Sequence, residues 1–450
     1  MSNIYKKKSI YFPNLDALRF LAFLVVFINH VVATLGHRTS NATISKIKSH
    51  YLLNGDLGVN FFFVLSGFLI TFLLIREKDF TKTIAVGKFY LKRILRIWPV
   101  YFLVLFIGLV IVPMFAVPQN FPILTYTHIM NKSLFYFFLG NFDYVYNGIS
   151  NAVVGILWSV SVEEQFYLFW PLVLLIIPKK HLLKVFIGLI LFGTYYRMYG
   201  TAGRSLNLMQ LYHTFSSVSD LATGALVAYL CTYEKFIEFF KKLSPIVIAI
   251  VYIVGFTLLA FRFDILHLDL SHNDYLKEIQ YRGKAPYPRP HQIWHSIMPV
   301  VFSFFFAFIL MEQVFSERSF FKVGKIKTFT YLGKISYGLY SYHMVAMFFV
   351  VYFSMKMGFN ATRPDKFLVI FEALSAFSLT ILISWLSYNF WEKRFLTIKE
   401  KLTGDKAVSK IIKKETSRKK ETKKKKEIVY FLFIVNCLLS LLNPKLIFIK

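Results

Sequence analysis

Cysteine is nearly absent from the 450 residues: only Cys231 and Cys437 occur, both inside apolar stretches. That excludes a disulfide framework and any thiolate-based metal site. Acidic side chains are also scarce, with 24 Asp and Glu against 53 Lys and Arg, and charged residues make up only 17% of the chain. A water-soluble domain of this size carries about a quarter. What fills the deficit is apolar: 56% hydrophobic and 19% aromatic residues, gathered into runs of roughly 20 that recur from end to end. Such runs match the thickness of a bilayer, so the expected fold is all-α, a polytopic membrane bundle. The net charge of +29 would suggest nucleic acid in a soluble protein. Here the basic residues lie in loops and in a lysine-rich tail beside apolar runs, which reports topology and anionic lipid; no nucleic-acid partner is expected.

The apolar runs predict ten spans, near 15–36, 57–75, 97–117, 156–178, 183–200, 216–233, 244–261, 293–312, 331–354 and 367–391. The piece LFYFFLGNF at 134–142 is too short to cross and reads as a re-entrant or outer-surface segment. With that assignment the Lys/Arg-rich loops 1–14, 76–96, 179–184, 234–243 and 313–330 fall on the cytoplasmic side. Four parts follow: a cytoplasmic head at 1–14, a ten-span core at 15–395, a basic cytoplasmic segment at 396–427, and an apolar C-terminal segment at 428–450. The head MSNIYKKKSIYFPN is basic, and the run behind it is long without a small-residue cleavage site, so no cleavable signal peptide is expected. The eye finds no internal repeat of the transporter kind.

Ionisable groups inside a bilayer are costly and mark a path or a site. The first span, LDALRFLAFLVVFINHVV, carries three. At 100° per residue the 11 steps from Arg19 to His30 return to within about 20° of one face, and Asp16 lies about 40° from it. The plainer reading of Asp16 and Arg19 is an ion-paired anchor at the membrane surface. WSVSVEEQFYLFWP (158–171) starts the fourth span, bringing Glu163 to the outer side with Tyr167 one turn away; a carboxylate there can orient His30 as a general base, or merely favour a helix N-terminus capped by Ser159 or Ser161. In KFYLKRILRIWPVYF (88–102), Arg93 and Arg96 project from one helix face. Paired guanidinium groups suit phosphate oxygens, although snorkelling arginines also anchor span ends. Ser66 beside Gly67 in GVNFFFVLSGFLIT reads as close helix packing or as a nucleophile. His343 in SYGLYSYHM is a site candidate or a structural hydrogen-bond knot. The outer loop 262–292 holds three histidines without metal-ligand spacing, so no metal is expected.

These segments, in this order, resemble the membrane-bound acyltransferase 3 family: DALRFLAFLVVFINH with its Arg-x10-His, GVNFFFVLSGFLIT, the Arg-x-x-Arg of KRILRIWP, WSVSVEEQFYLFWP, ISYGLYSYHM and the closing SYNFWEKRF (387–395). Two departures stand out, Asn60 where an acid is frequent and Arg394 where proline is. The resemblance implies an O-acyltransferase of bacterial surface glycans, multi-pass in the cell membrane. Its donor would be cytosolic acetyl-CoA or another acyl-CoA, with no permanently bound cofactor, docked by its phosphates at Arg93 and Arg96. His30 would act on a hydroxyl of a carbohydrate or glycolipid acceptor outside, directly or through an acyl-histidine, with Arg19 and Glu163 in support and Asp16, Ser66, Tyr167 and His343 as supporting or substrate contacts. No soluble esterase-like domain is expected in 396–450. The rivals are a transporter or flippase whose polar stripe is a permeation path, and an intramembrane hydrolase using Ser66 with His343.

Overall fold

A computed structural model describes residues 11–35, 55–115, 130–148, 151–199, 211–261, 290–359 and 366–403. Residues 262–289, most of the loop 262–292 expected on the outer side, and the apolar segment 428–450 lie outside the described residues. In chain order the helices are α1 (Pro13–Leu35), α2 (Gly55–Thr81), α3 (Val86–Phe106), α4 (Lys132–Tyr136), α5 (Gly140–Asn147), α6 (Ala152–Gly155), α7 (Leu157–Ile176), α8 (Lys179–Tyr199), α9 (Thr214–Leu230), α10 (Glu234–Lys242), α11 (Pro245–Ala260), α12 (Pro290–Phe315), α13 (Lys327–Lys334), α14 (Ser336–Lys356), α15 (Lys366–Leu386) and α16 (Lys393–Thr403).

The chain is a polytopic helical bundle. Each of the ten apolar runs carries a helix, but they are not ten equal spans. Among the described residues eight stretches are long and apolar enough to cross a bilayer, and α10 with α11, bent by 90°, makes a ninth only if the pair counts as one span. With 17 residues in α9 and 16 in α11, these two helices rise only about 25 Å at 1.5 Å per residue, short of a hydrocarbon core of about 30 Å. Composition hid this, because an apolar run does not show where a helix turns. The piece at 134–142 forms parts of two short helices, α4 and α5, split at Phe138, whose φ is +57°. Neither is long enough to cross. The helix after the last span, α16, runs through residue 395 to Thr403.

Glycines set the seam between α2 and α9. A Cβ on Gly67 of α2 would lie 2.0 Å from the Leu221 carbonyl oxygen of α9, and one on Gly224 of α9 would lie 1.9 Å from the Val64 carbonyl oxygen. Backbone therefore meets backbone, the geometry small residues permit in membrane helices. Beside this seam a buried ion pair joins α8 to α9: Arg197 donates to Asp220 Oδ2 at 2.7 Å and to Ser219 Oγ at 2.8 Å. Ser303 of α12 contacts Asp220 Oδ1 at 2.9 Å and Asn60 Oδ1 at 3.2 Å. That contact accounts for the neutral Asn60. An acid there would put a second carboxylate against a hydroxyl already serving Asp220, with Arg197 to balance only one.

Candidate functional site

Five helices converge on a cavity of about 260 Å³. Arg19 comes from α1, Ser66 from α2, Arg93 and Arg96 from α3, and Glu163 with Tyr167 from α7; Tyr337 and Tyr340 of α14 form a wall. Six of the expected site residues, Arg19, Ser66, Arg93, Arg96, Glu163 and Tyr167, thus reach one space. Asp16 stands behind it, accepting from Arg19 at 2.5 Å. The ion pair of the plainer reading therefore exists, and Arg19 lines the cavity as well.

Inside the cavity Ser66 donates to Glu163 Oε1 at 2.5 Å. Ser66 is half-buried and engaged by a carboxylate, while Gly67 carries the close packing. The Arg93 guanidinium lies over the rings of Phe89 and Tyr167, 5.5 and 5.6 Å from their centroids. Its Nε is buried without a hydrogen-bond partner. Arg96 is exposed at the same opening. Three guanidinium groups against one cavity carboxylate make this a space for an anion.

The two histidines meet elsewhere. His343 is fully buried, and its Nε2 lies 3.0 Å from His30 Nδ1. On the other edge of the ring, Nδ1 lies 2.5 Å from the Tyr340 carbonyl oxygen. A carbonyl can only accept, so His343 Nδ1 carries hydrogen. With neutral rings His343 Nε2 is then an acceptor, and His30 Nδ1 must donate to it. The lone pair of His30 is thereby directed to Nε2, on the other side of the ring of this half-buried residue. Phe23 and Phe27 pack edge-on against His343, with centroids 6.0 and 6.4 Å away. His343 is therefore both the hydrogen-bond knot and a neighbour of the candidate base.

The expected meeting of Glu163 with His30 is not made. Tyr340 explains why, because it divides the two groups. Its hydroxyl pairs with Ser159 Oγ at 2.6 Å and donates to the Ile156 carbonyl at 3.1 Å, which fixes the level of α7 against α14. Glu163 lies one turn beyond Ser159 along α7, and His343 one turn beyond Tyr340 along α14. The helices run in opposite senses, as Tyr337 and Ser336 beside Glu163 show, so those turns separate the groups by roughly 10 Å along the bundle. Ser159 and Ser161 do not cap the helix either: they contact the Ile156 and Leu157 carbonyls. The same division keeps Ser66 from His343, and the hydrolase arrangement is not formed.

Sequence reasoning missed Tyr340, which lines the cavity with its ring and holds His343 with its carbonyl. Its signal was present, one turn before His343 in SYGLYSYHM. It also missed the partners of the other two residues in EEQ. Trp98 Nε1 donates to Glu164 Oε2 at 3.0 Å. Gln165 donates to the Phe138 carbonyl and to Asn141 Oδ1, both at 2.8 Å, pinning the short helices α4 and α5 to α7. No spacing rule reaches contacts between segments so distant in sequence. Among the described residues no group of three His, Cys, Asp or Glu side chains is placed to hold a metal ion.

Comparison with known proteins places relatives over most of this chain. The chain is 26% identical over 410 residues to the peptidoglycan O-acetyltransferase OatA of Listeria monocytogenes, covering 86% of this chain and 56% of that protein. It is 27% identical over 393 residues to the O-acetyltransferase OatA of Staphylococcus aureus, covering 85% and 57% respectively. The chain thus spans little more than half the length of these curated relatives. No solved structure matches. A family described as an acyltransferase domain matches residues 12–389, the bundle that contains both the cavity and the histidine pair. On that match the chain belongs to the acyltransferase 3 family.

Proposed function

We propose that this protein is a cell-membrane O-acetyltransferase that moves an acetyl group from cytosolic acetyl-CoA to a carbohydrate hydroxyl on the outer side, with peptidoglycan among the candidate acceptors because a relative is named for it. One observation carries the reading: the relay from the Tyr340 carbonyl through His343 to His30, next to an arginine-lined cavity. Arg93 and Arg96 would hold donor phosphates by charge-assisted, bidentate hydrogen bonds. The pantetheine arm would lie along the cavity toward Tyr340. Arg19 lies 11 residues from His30 on α1, about 16 Å at the helical rise, so a flexible arm is needed to join the two ends.

At His30, Nε2 would take the proton of the acceptor hydroxyl as its oxygen attacks the thioester carbonyl. The new C–O ester bond forms, the C–S bond breaks, and the proton passes to the departing CoA thiolate. His343 keeps Nδ1–H of His30 engaged throughout, so the imidazolium formed in passing retains an acceptor. Glu163 and Ser66 would shape the cavity rather than orient the base.

The test is acetyl-CoA-dependent ester formation by membranes containing His30→Ala protein. Loss of 10²-fold or more is expected when a general base is removed. A well-inserted His30→Ala protein with wild-type turnover would overturn the proposal.

A further inference from the structure

The donor reading uses Arg93 and Arg96, but the basic surface at that end of α3 has another contributor. Helix α16 packs along α3, and the indole of Trp391, at the turn leading into it, donates to the Pro99 carbonyl at 3.1 Å. Trp391 then packs on Phe395 with ring centroids 5.2 Å apart. One turn further along that stripe is Lys399. The two helices run in opposite senses from the Trp391 anchor. Eight residues forward on α16 cover about 12 Å, and six or seven residues back on α3 cover about 10 Å, so Lys399 comes level with Arg93 and Lys92. Consistently, the charges of Arg96, Arg93 and Lys92 all act on the half-buried Lys399 ammonium, and Glu400 is the one carboxylate that opposes them. Glu392 faces Arg96, and Glu163 and Glu164 face Arg93. Among the described residues no salt bridge closes on Arg93, Arg96 or Lys399.

Like charges held together without closed ion pairs repel, and a bound polyanion relieves that repulsion. The placement also orders them. Arg93 and Arg96 line the cavity that leads to Tyr340, whereas Lys399 is not part of its lining. In acyl-CoA the diphosphate adjoins the pantetheine arm, and the 3′-phosphate lies on the far ribose. Resting on the donor reading above, we infer that Lys399 is a further donor-binding residue that engages the 3′-phosphate of acyl-CoA, while Arg93 and Arg96 take the diphosphate.

The experiment is a cycle of variant against ligand on the full chain in membranes, comparing acetyl-CoA with acetyl-3′-dephospho-CoA. For Lys399→Ala, KM for acetyl-CoA should rise about five- to tenfold, the size of one partly exposed charged hydrogen bond, with kcat unchanged. KM for the dephospho donor should not move, and Lys399→Arg should restore the discrimination. A merely structural lysine would shift both donors together, and that result overturns the inference. An effect that appears in vesicles containing anionic lipid but vanishes in phosphatidylcholine alone would assign Lys399 to lipid headgroups and overturn it as well. The two levels of the proposal separate cleanly. If Arg93→Ala/Arg96→Ala protein binds acetyl-CoA normally, the donor site itself is wrong; if that protein loses the donor while Lys399→Ala treats both ligands alike, only the 3′-phosphate assignment fails.

Discussion

Replacing His343 with leucine removes the acceptor that fixes His30 while leaving an apolar side chain where Phe23 and Phe27 already pack. Two consequences follow from the geometry. The His30 Nδ1–H loses its 3.0 Å partner, so His343 no longer directs the lone pair to Nε2. The imidazolium formed during proton transfer also loses a charge-assisted hydrogen bond, worth about 1.5–3 kcal/mol. At 1.36 kcal/mol per factor of ten, kcat should fall roughly 10- to 150-fold. KM for the donor should hold, since Arg93 and Arg96 lie on the far side of Tyr340. Glutamine can offer a carbonyl oxygen near the position of the lost Nε2, so His343→Gln should recover most of the rate. Initial rates of CoA release, with protein amount normalised in membranes, provide the assay. Wild-type kcat in His343→Leu, or a change confined to KM, would refute the relay.

Tyr340→Phe provides the contrasting control: the carbonyl that holds His343 is backbone and stays, so only the hydroxyl bonds to Ser159 and Ile156 are lost. Initial-rate kinetics should show a cost of about 1 kcal/mol, well short of His343→Leu. Gly224→Ala would drive a methyl to 1.9 Å from the Val64 carbonyl oxygen, and with backbone on both sides the α2–α9 seam must open at a cost of about 3 kcal/mol. A clear drop in the thermal midpoint in detergent is expected, and an unchanged midpoint would contradict the packing. The orientation is tested by single cysteines at 181, 275 and 410 after replacing Cys231 and Cys437. An impermeant thiol reagent should label intact cells at 275 alone, and labelling at 181 would mean that 134–142 crosses.

The long helices were legible because a 20-residue apolar run has one stable use in a bilayer; the nine residues at 134–142 were legible as too short to span it, but not as parts of the two helices α4 and α5. Depth was less legible. Glu163 sits in the second turn of α7, not at its mouth, and only the contact of Ser159 with Tyr340 reveals that level. Pairing across the chain was not legible at all: His30 and His343 lie 313 residues apart, and each is locally just a polar residue in an apolar helix. The same holds for Arg197 and Asp220, whose ion pair depends on how α8 meets α9. Arg93 could be grouped with Arg96, and Arg19 with His30, from face and spacing, yet the common cavity of the three arginines with Ser66 and Glu163 needed three dimensions.

The central claim is transfer across the membrane from an arginine-held acyl-CoA to an outer hydroxyl through His30. It is tested most directly in right-side-out membrane vesicles loaded with isotope-labelled acetyl-CoA, by following label into esters of externally supplied glycan. Label should appear outside with wild-type protein, vanish with His30→Ala, and fall with Arg93→Ala/Arg96→Ala in a way that higher internal acetyl-CoA restores. Label that reaches the glycan equally well with His30→Ala, or only when acetyl-CoA is supplied from outside, would contradict the account.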